Sequence, residues 1–309
     1  MDQLAAMRAF VRVVEAGTFT RAAERLNLPK STVTKLVQSL EAHVRTKLLN
    51  RTTRRVTVTP DGAAYYERVV TLLSDLDELD GSMTVSQTSP RGRIRIDVSA
   101  SLANLVIIPA IAEFHARYPE IQIDVGVSDR PVDLIAENVD CVVRAGELTD
   151  QSLIARRIGE LRFITCAAPQ YLARHGEPRH PRDLETDHHV VSYFTARTGE
   201  HYAMRFAARG EEMELIGRYV VSVNDGNAYL SATLAGLGIG QLPTFMVQQH
   251  LAAGALRQVL ADWTAIVLPL HVVYPPNRHI SNKLRVFVDW IAELFASHDL
   301  IRRRPSAAA

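Results

Sequence analysis

Residues 26–42 read LNLPKSTVTKLVQSLEA. Val33, Leu36, Val37 and Leu40 fall at i, i+3, i+4 and i+7, which is one face of a helix. Ser31, Thr34, Lys35 and Gln38 occupy the opposite face, and Glu41 is the one acid of the stretch. An aliphatic face packs. A basic, hydroxyl-rich face is left for a polar partner, and the edges of DNA bases in a major groove are such a partner.

The flanking residues fit that reading. Leu4, Met7, Phe10, Val11 and Val14 predict a helix over residues 3–15, stopped by Gly17. Thr20 then reads as the cap of a second helix, Arg21 to Leu26, whose Ala22 and Ala23 permit close packing. Asn27-Leu28-Pro29 is the turn before the quoted helix, so the pattern is a helix-turn-helix. Beyond it, Leu48-Leu49-Asn50 and Arg55-Val56-Thr57-Val58 read as two short strands around the basic tip Arg51-Thr52-Thr53-Arg54, a wing. Charge separates in the same way. Residues 1–59 hold eleven Lys and Arg against four Asp and Glu, leaving 24 bases and 30 acids for the rest of the 309-residue chain. A basic head on a mildly acidic body points to nucleic acid as partner of the head. Candidate DNA contacts are Lys30, Ser31, Thr32, Thr34, Lys35 and Gln38 on the helix, and Arg51, Thr53, Arg54 and Arg55 on the wing.

After the wing, Thr59-Pro60-Asp61-Gly62 is a helix start: a hydroxyl cap, then proline, then an acid. Tyr65, Val69, Leu72, Leu76, Leu79 and Met83 follow at alternating spacings of four and three, a heptad seam that predicts dimerisation. A helix of about 22 residues would span roughly 33 Å. A polar hinge from Ser82 to Gly92 ends it. From Arg93 the chain alternates strand and helix. Strands are expected at 94–98, 121–127 and 139–144, with helices at 102–118 and 132–137, and the pattern predicts a mostly parallel α/β sheet. A second set runs from strand 163–167 through helix 169–175, strands 189–193 and 218–223, helix 226–236, strand 238–242 and helix 244–253. A last strand, 268–274, and an amphipathic helix, 281–296, complete the chain.

The runs AGTFTRAAERLNLPKSTVTKLVQSLE and LLNRTTRRVTVTPDG resemble the winged helix-turn-helix of LysR-type transcriptional regulators. The resemblance runs through the whole chain. It implies an N-terminal all-α winged head (1–59), a linker and dimerisation helix with hinge (60–90), and an effector-binding body (91–302) of two α/β lobes like a periplasmic binding protein. Lobe I would take about 91–161 and 267–302, lobe II about 162–266, and 303–309 would be a frayed tail. Family members usually carry Ser or Thr where Pro29 stands, so Ser31 or the backbone has to cap the quoted helix here. The resemblance implies double-stranded DNA, a small-molecule effector and further copies of the chain (dimer or tetramer) as partners, and allows RNA polymerase as another. It also implies a cytoplasmic transcriptional regulator that is no enzyme and needs no cofactor.

In open α/β sheets, ligands sit beyond the carboxyl ends of the strands. With the cleft placed there, the candidate effector contacts are Ser99, Ala100, Ser101, Leu102, Ser128 and Arg144 from one lobe, and Phe194, Thr195, Asn224 and Gly226 from the other. Free N–H groups at the helix starts 101–103 and 226–228 favour an anion, most simply a carboxylate. Arg144 would add charge unless it pairs with Asp140 or Glu147, and Leu102 and Phe194 would form an apolar wall.

Two rival readings remain: an α/β enzyme or small-molecule carrier with an incidental basic head, and a purely architectural DNA binder. Other signals are weak. Gly236-Leu237-Gly238-Ile239-Gly240 follows a helix and enters a strand, the reverse of a dinucleotide-binding context. His175, His180, His188 and His189 have no metal-site spacing, and no catalytic constellation can be argued from spacing. Cys141 and Cys166 lie in apolar runs and read as buried thiols. No 18-residue apolar stretch or signal-peptide pattern is found.

Overall fold

The computed structural model describes residues 2–51, 56–83, 90–130, 132–134, 137–146, 153–276 and 280–303. The chain forms two compact units, Met1–Thr88 and Ser89–Ala309.

In the first unit, α1 (Gln3–Ala16) is capped by the Asp2 carboxylate, which accepts from Ala5 N at 3.0 Å, and stops at Gly17 with φ +68°. α2 (Phe19–Leu26) begins two residues earlier than the Thr20 cap predicted. Thr18 is the cap, its hydroxyl accepting from Arg21 N at 3.3 Å. The reason is geometric: Thr18 is extended, at φ −147° and ψ 145°, as a cap residue must be. α3 (Lys30–Val44) starts without a side-chain cap. The Pro29 carbonyl accepts instead from Thr32 N at 2.9 Å and Val33 N at 3.2 Å, so the backbone solution is the one used. Phe10, Val13, Ala22, Val33, Val37 and Leu40 are fully buried and form the core of this unit. β1 (Leu49–Arg51) and β2 (Val56–Val58) pair antiparallel as the base of the wing, and α4 (Pro60–Met83) follows. The wing tip at 52–55 lies outside the described residues.

The second unit opens with β3 (Gly92–Val98). The long helix expected over 102–118 is broken into α5 (Ala100–Leu102), a π-helical turn (Ala103–Ile107) and α6 (Ile108–Arg117). Pro109 has no N–H to give back to the previous turn, and the wider π turn ends just before it. β4 (Ile121–Val127) follows. The helix expected at Val132–Glu137 is at most one turn in its described residues: Glu137 N donates to Asp133 O at 2.9 Å, and Asn138, at φ +55°, ends it.

β5 (Cys141–Ala145) leads to β6 (Ile154–Ala167), which begins nine residues before the strand expected from 163. α7 (Pro169–His175), α8 (Asp183–Thr186) and β7 (Val190–Tyr193) come next. A hairpin of β8 (Met204–Ala208) and β9 (Glu211–Leu215), not expected, turns at Arg209-Gly210, both with positive φ. β10 (Tyr219–Val223), α9 (Gly226–Leu234), β11 (Gly240–Pro243), α10 (Thr244–Ala252), β12 (Arg257–Gln258), β13 (Thr264–Ala265), β14 (Val267–Tyr274) and α11 (Asn282–Ser297) complete the unit.

The main sheet has the order β11-β6-β14-β5-β3-β4, with β12 also on β6. β4, β3 and β5 are parallel, while β14 and β6 run antiparallel. β6 pairs with β14 over its first nine residues, then with β11 and β12 over its last five, so one strand serves both lobes. Lobe I is built on Ile94, Ile96, Phe114, Val143, Val272, Phe287, Trp290 and Phe295; the apolar residues of α7, α9, α10 and β7 fill lobe II. The body is therefore a two-lobed α/β domain crossed by two antiparallel strands.

Candidate functional site

The α3 face develops as its spacing predicts. Val33, Val37 and Leu40 are fully buried, while Lys30, Ser31, Lys35 and Gln38 are exposed and Thr32 and Thr34 half-buried. Thr34 differs in one respect: its hydroxyl donates to Lys30 O at 2.8 Å. Its donor is thereby spent on the helix, and its methyl and lone pairs are what remain for a partner.

Glu41, which carried no role in the sequence reading, ties this helix to the wing. Its buried carboxylate accepts from Leu48 N and Leu49 N, each at 3.1 Å, and from Lys47 Nζ at 3.0 Å. Burial pushes its carboxyl up, but the Lys47 ammonium and the two N–H groups outweigh it and hold Glu41 below the usual carboxylate value. The start of α4 is pinned to the same segment. Thr59 Oγ1 donates to Lys47 O at 2.7 Å and accepts from Gly62 N at 2.9 Å. Gly62 is required there, since a Cβ would sit 2.0 Å from Leu48 O. Of the wing candidates, the Arg51 side chain, Thr53, Arg54 and Arg55 lie outside the described residues.

The α4 seam divides. Val69 is 3 % exposed within its own head, and Tyr65 packs on Phe10 at 5.8 Å between ring centroids. These two side chains are thus committed to the head core rather than to a partner helix, together with Leu73. Leu72 is 50 % exposed and Leu76 half-buried, so these two are not taken up by the head core. The side chains of Leu79 and Met83 lie outside the described residues.

In the body, the expected helix starts are brought together, but they are not vacant. Asp129, which follows β4, accepts from Ala100 N at 2.9 Å through Oδ1 and from Gly226 N at 2.8 Å through Oδ2. The Tyr193 hydroxyl lies 3.1 Å from Oδ2 and 3.1 Å from Asn224 O. Burial, then the Asp129 charge, pushes the Tyr193 phenol far up, so it stays a neutral donor. Asp225 caps α9, accepting from Ala228 N at 2.8 Å. The anion expected from outside at this point is thus supplied by the protein itself.

Other candidates change role as well. Arg144 forms an ion pair with Asp97 and donates to Arg130 O at 3.2 Å, so its charge is already answered. Of the acids considered from the sequence, Asp140 accepts instead from Arg95 N at 2.7 Å, and Glu147 lies outside the described residues. Leu102 is fully buried in the lobe I core and Ala100 is 7 % exposed, so Leu102 cannot wall a cleft. Ser101 is 8 % exposed, with its Oγ 3.5 Å from where a Cβ on Gly226 would stand. Ser128 Oγ is buried without a hydrogen-bond partner among the described residues. Ser99 makes no side-chain cap bond. Thr195 N donates to Glu200 O at 2.9 Å, opening a turn, and the Phe194 ring lies 6.1 Å from that of His201. Sequence reasoning noted Asp129 beside Ser128 among the polar residues after the second strand but gave it no role, and it missed Tyr193; a bridge to residue 226 has no local signature.

Cys141 and Cys166 are fully buried free thiols, both pushed up by burial, Cys166 to about 12. Gly236, at φ +72°, turns the chain between α9 and β11. Among the described residues, no helix is long and apolar enough to cross a membrane.

A helix-turn-helix with a polar reading face, joined in one chain to a two-lobed α/β body, defines a ligand-responsive DNA-binding protein as a class. Residues 4–63 match the bacterial regulatory helix-turn-helix family of lysR type, and residues 87–296 match the LysR substrate binding domain. An HTH-type transcriptional repressor of Pseudomonas aeruginosa is 39% identical, covering 100% of this chain and 97% of that relative. The HTH-type transcriptional regulator YhjC of Escherichia coli is 40% identical over 94% of this chain and 97% of its own length. Among solved structures, full-length AphB, a virulence activator of Vibrio cholerae, superposes with a TM-score of 0.59 at 31% identity, covering 94% of this chain and 98% of that one. CrgA of Neisseria meningitidis gives 0.59 at 33% identity, covering 94% and 97%. The chain belongs to the LysR family of transcriptional regulators. It is a DNA-binding regulator modulated by a small-molecule effector, and not an enzyme.

Proposed function

We propose that α3 reads base edges through Lys35, Gln38 and the methyl of Thr34, with Lys30, Ser31 and Thr32 at its start and Arg51, Thr53, Arg54 and Arg55 of the wing on phosphates. The observation that carries this reading is the exposed row Lys30, Ser31, Lys35 and Gln38, opposite the fully buried Val33, Val37 and Leu40. Amides and cations at such positions discriminate bases, whereas wing cations set affinity. The test is binding to a matched and a mismatched operator over a salt series. Lys35→Ala with Gln38→Ala flattens the preference between sites, and Arg54→Ala weakens both equally and reduces the salt slope by about one unit. Unchanged discrimination in the α3 double variant removes this helix as reader.

The effector class in this reading is a carboxylate. What supports it is the position where Ala100 N, Gly226 N and the Tyr193 hydroxyl converge, which already takes a carboxyl group, that of Asp129. Two copies join through the Leu72 and Leu76 stripe of α4, continued by Leu79 and Met83, and further pairing gives a tetramer. The head spans 1–59, the linker 60–90 and the body 91–302, with lobe II at about 162–266. The protein works in the cytoplasm on double-stranded DNA, within reach of RNA polymerase.

A further inference from the structure

The Asp129 bridge differs from an ordinary helix cap. An ordinary cap comes from the residue just before its own helix, and α9 already has one in Asp225. Asp129 is an additional acceptor, 97 positions away in sequence and rooted in the other lobe. At the start of α5, the cap residue Ser99 makes no side-chain bond, and Asp129 takes the Ala100 N–H in its place. The two oxygens divide the work. Oδ1 binds within lobe I, and Oδ2 binds the backbone N–H and the neighbouring phenol of lobe II. Charge-assisted hydrogen bonds of this kind are among the stronger polar contacts a protein makes. The covalent connections between the lobes are strands, which tolerate bending. The carboxylate instead joins two helix starts that bear partial positive charge.

We propose that Asp129 is a latch that holds the two lobes closed in the effector-free protein, and that the effector response runs through its release. This rests on the proposed interlobe effector site for its purpose, but not for its test. A ligand can shift the lobes only by favouring one arrangement over the other, and an arrangement with Asp129 withdrawn is the natural alternative state. The latch thus acts as a tethered occupant of the position a free carboxylate would take; formate there restores closure, whereas an effector carboxylate brings the rest of its molecule between the lobes and so favours a different arrangement.

The test uses the full-length protein without effector. Cys141 and Cys166 are fully buried, so spin labels go to introduced exposed thiols, Glu120→Cys in lobe I and Glu211→Cys in lobe II. Labelled chains are diluted with unlabelled ones, so that distances within one chain dominate. With Asp129 intact, one narrow distance distribution is expected, insensitive to sodium formate. Asp129→Ala broadens and shifts it. Formate then restores the narrow distribution in a saturable way, which sodium chloride at equal ionic strength does not. Asp129→Asn, which keeps one acceptor oxygen, falls between. Thermal unfolding of each variant identifies any that fails to fold, and Asp129→Asn then carries the comparison.

Superimposable distributions for wild type and a folded Asp129→Ala overturn the latch. Formate acting no better than chloride also overturns it, because the carboxylate position then is not what closes the lobes. In a DNA footprint without effector, the unlatched variant is expected to show an altered protected span. Open lobes with an unchanged footprint overturn the regulatory role. Failure of the effector reading itself looks different: no carboxylate shifts the wild-type footprint, whatever the formate result.

Discussion

Glu41 shows how much of the DNA-reading head rests on one side chain. Its carboxylate satisfies two backbone donors where the chain leaves α3 for the wing, so α3 and the first strand of the wing share an anchor. Glu41→Gln keeps the shape and loses the charge. With an amide left against buried N–H groups, a loss of roughly 2 kcal/mol is expected at neutral pH. The pH dependence has a definite sign. The folded-state value of Glu41 is lowered, so its contribution is complete above the unfolded value near ~4.3 and is lost as pH falls through the folded value. Urea unfolding of the full chain at pH 7 and below pH 4 checks this: the gap between wild type and Glu41→Gln narrows in acid. A gap that widens in acid contradicts the assignment. The outward residues of α3 were legible because helix periodicity alone sorts them. Glu41 and Asp129 were not, because their roles lie in hydrogen bonds to backbone groups that sequence does not bring together.

Among the elements, α4 carries one seam whose residues have different neighbours. Tyr65, Val69 and Leu73 pack into their own head, while Leu72 is exposed and Leu76 half-buried on much the same face. A seam read at spacings of four and three cannot tell an intramolecular neighbour from a second chain. Leu72→Glu with Leu76→Glu is expected to split the dimer in sedimentation and to reduce DNA affinity sharply, since two heads joined in one assembly bind at a high effective concentration. Val69→Glu is expected to act differently, by unfolding the head. A sedimentation profile unchanged by the Leu72 and Leu76 pair would assign the seam elsewhere. Other elements were lost for local reasons. The first half of β6, IARRIGELR, does not alternate: residues 154–157 are exposed, Ile158 to Leu161 are buried, and the buried Glu160 is paired with Arg157 and Arg162. The β8–β9 hairpin turns at Arg209-Gly210 between short strands, a local signal that the expected strand set leaves out. The π turn before Pro109 has no sequence signature beyond the proline itself.

For the molecule as a whole, the alternation of strand and helix was enough to expect an α/β body, while its division into two lobes came from family resemblance, because parallel and antiparallel neighbours look alike in sequence. The body closes at its far end. Ile301 is fully buried in the lobe I core and its carbonyl accepts from Glu160 N at 2.8 Å. Gly159 leaves room for it, since a Cβ there would stand 2.8 Å from the Ile301 oxygen. Ile301→Ala is expected to cost about 3 kcal/mol. The measurement is urea unfolding followed at Trp290, which packs 5.0 Å from Phe114 in the same core. An unchanged midpoint would mean that the seat is not stabilising. The division of lobe I between two distant stretches of chain also has a consequence at the ribosome. Phe114 and Ile94 await Phe287, Trp290 and Ile301 as their packing partners. At ~5–20 residues per second, the roughly 170 residues between Phe114 and Phe287 take on the order of 10–35 s to make. Lobe II, built from one uninterrupted stretch, can fold during that interval. The earlier half of lobe I cannot complete its core until α11 and Ile301 have been made.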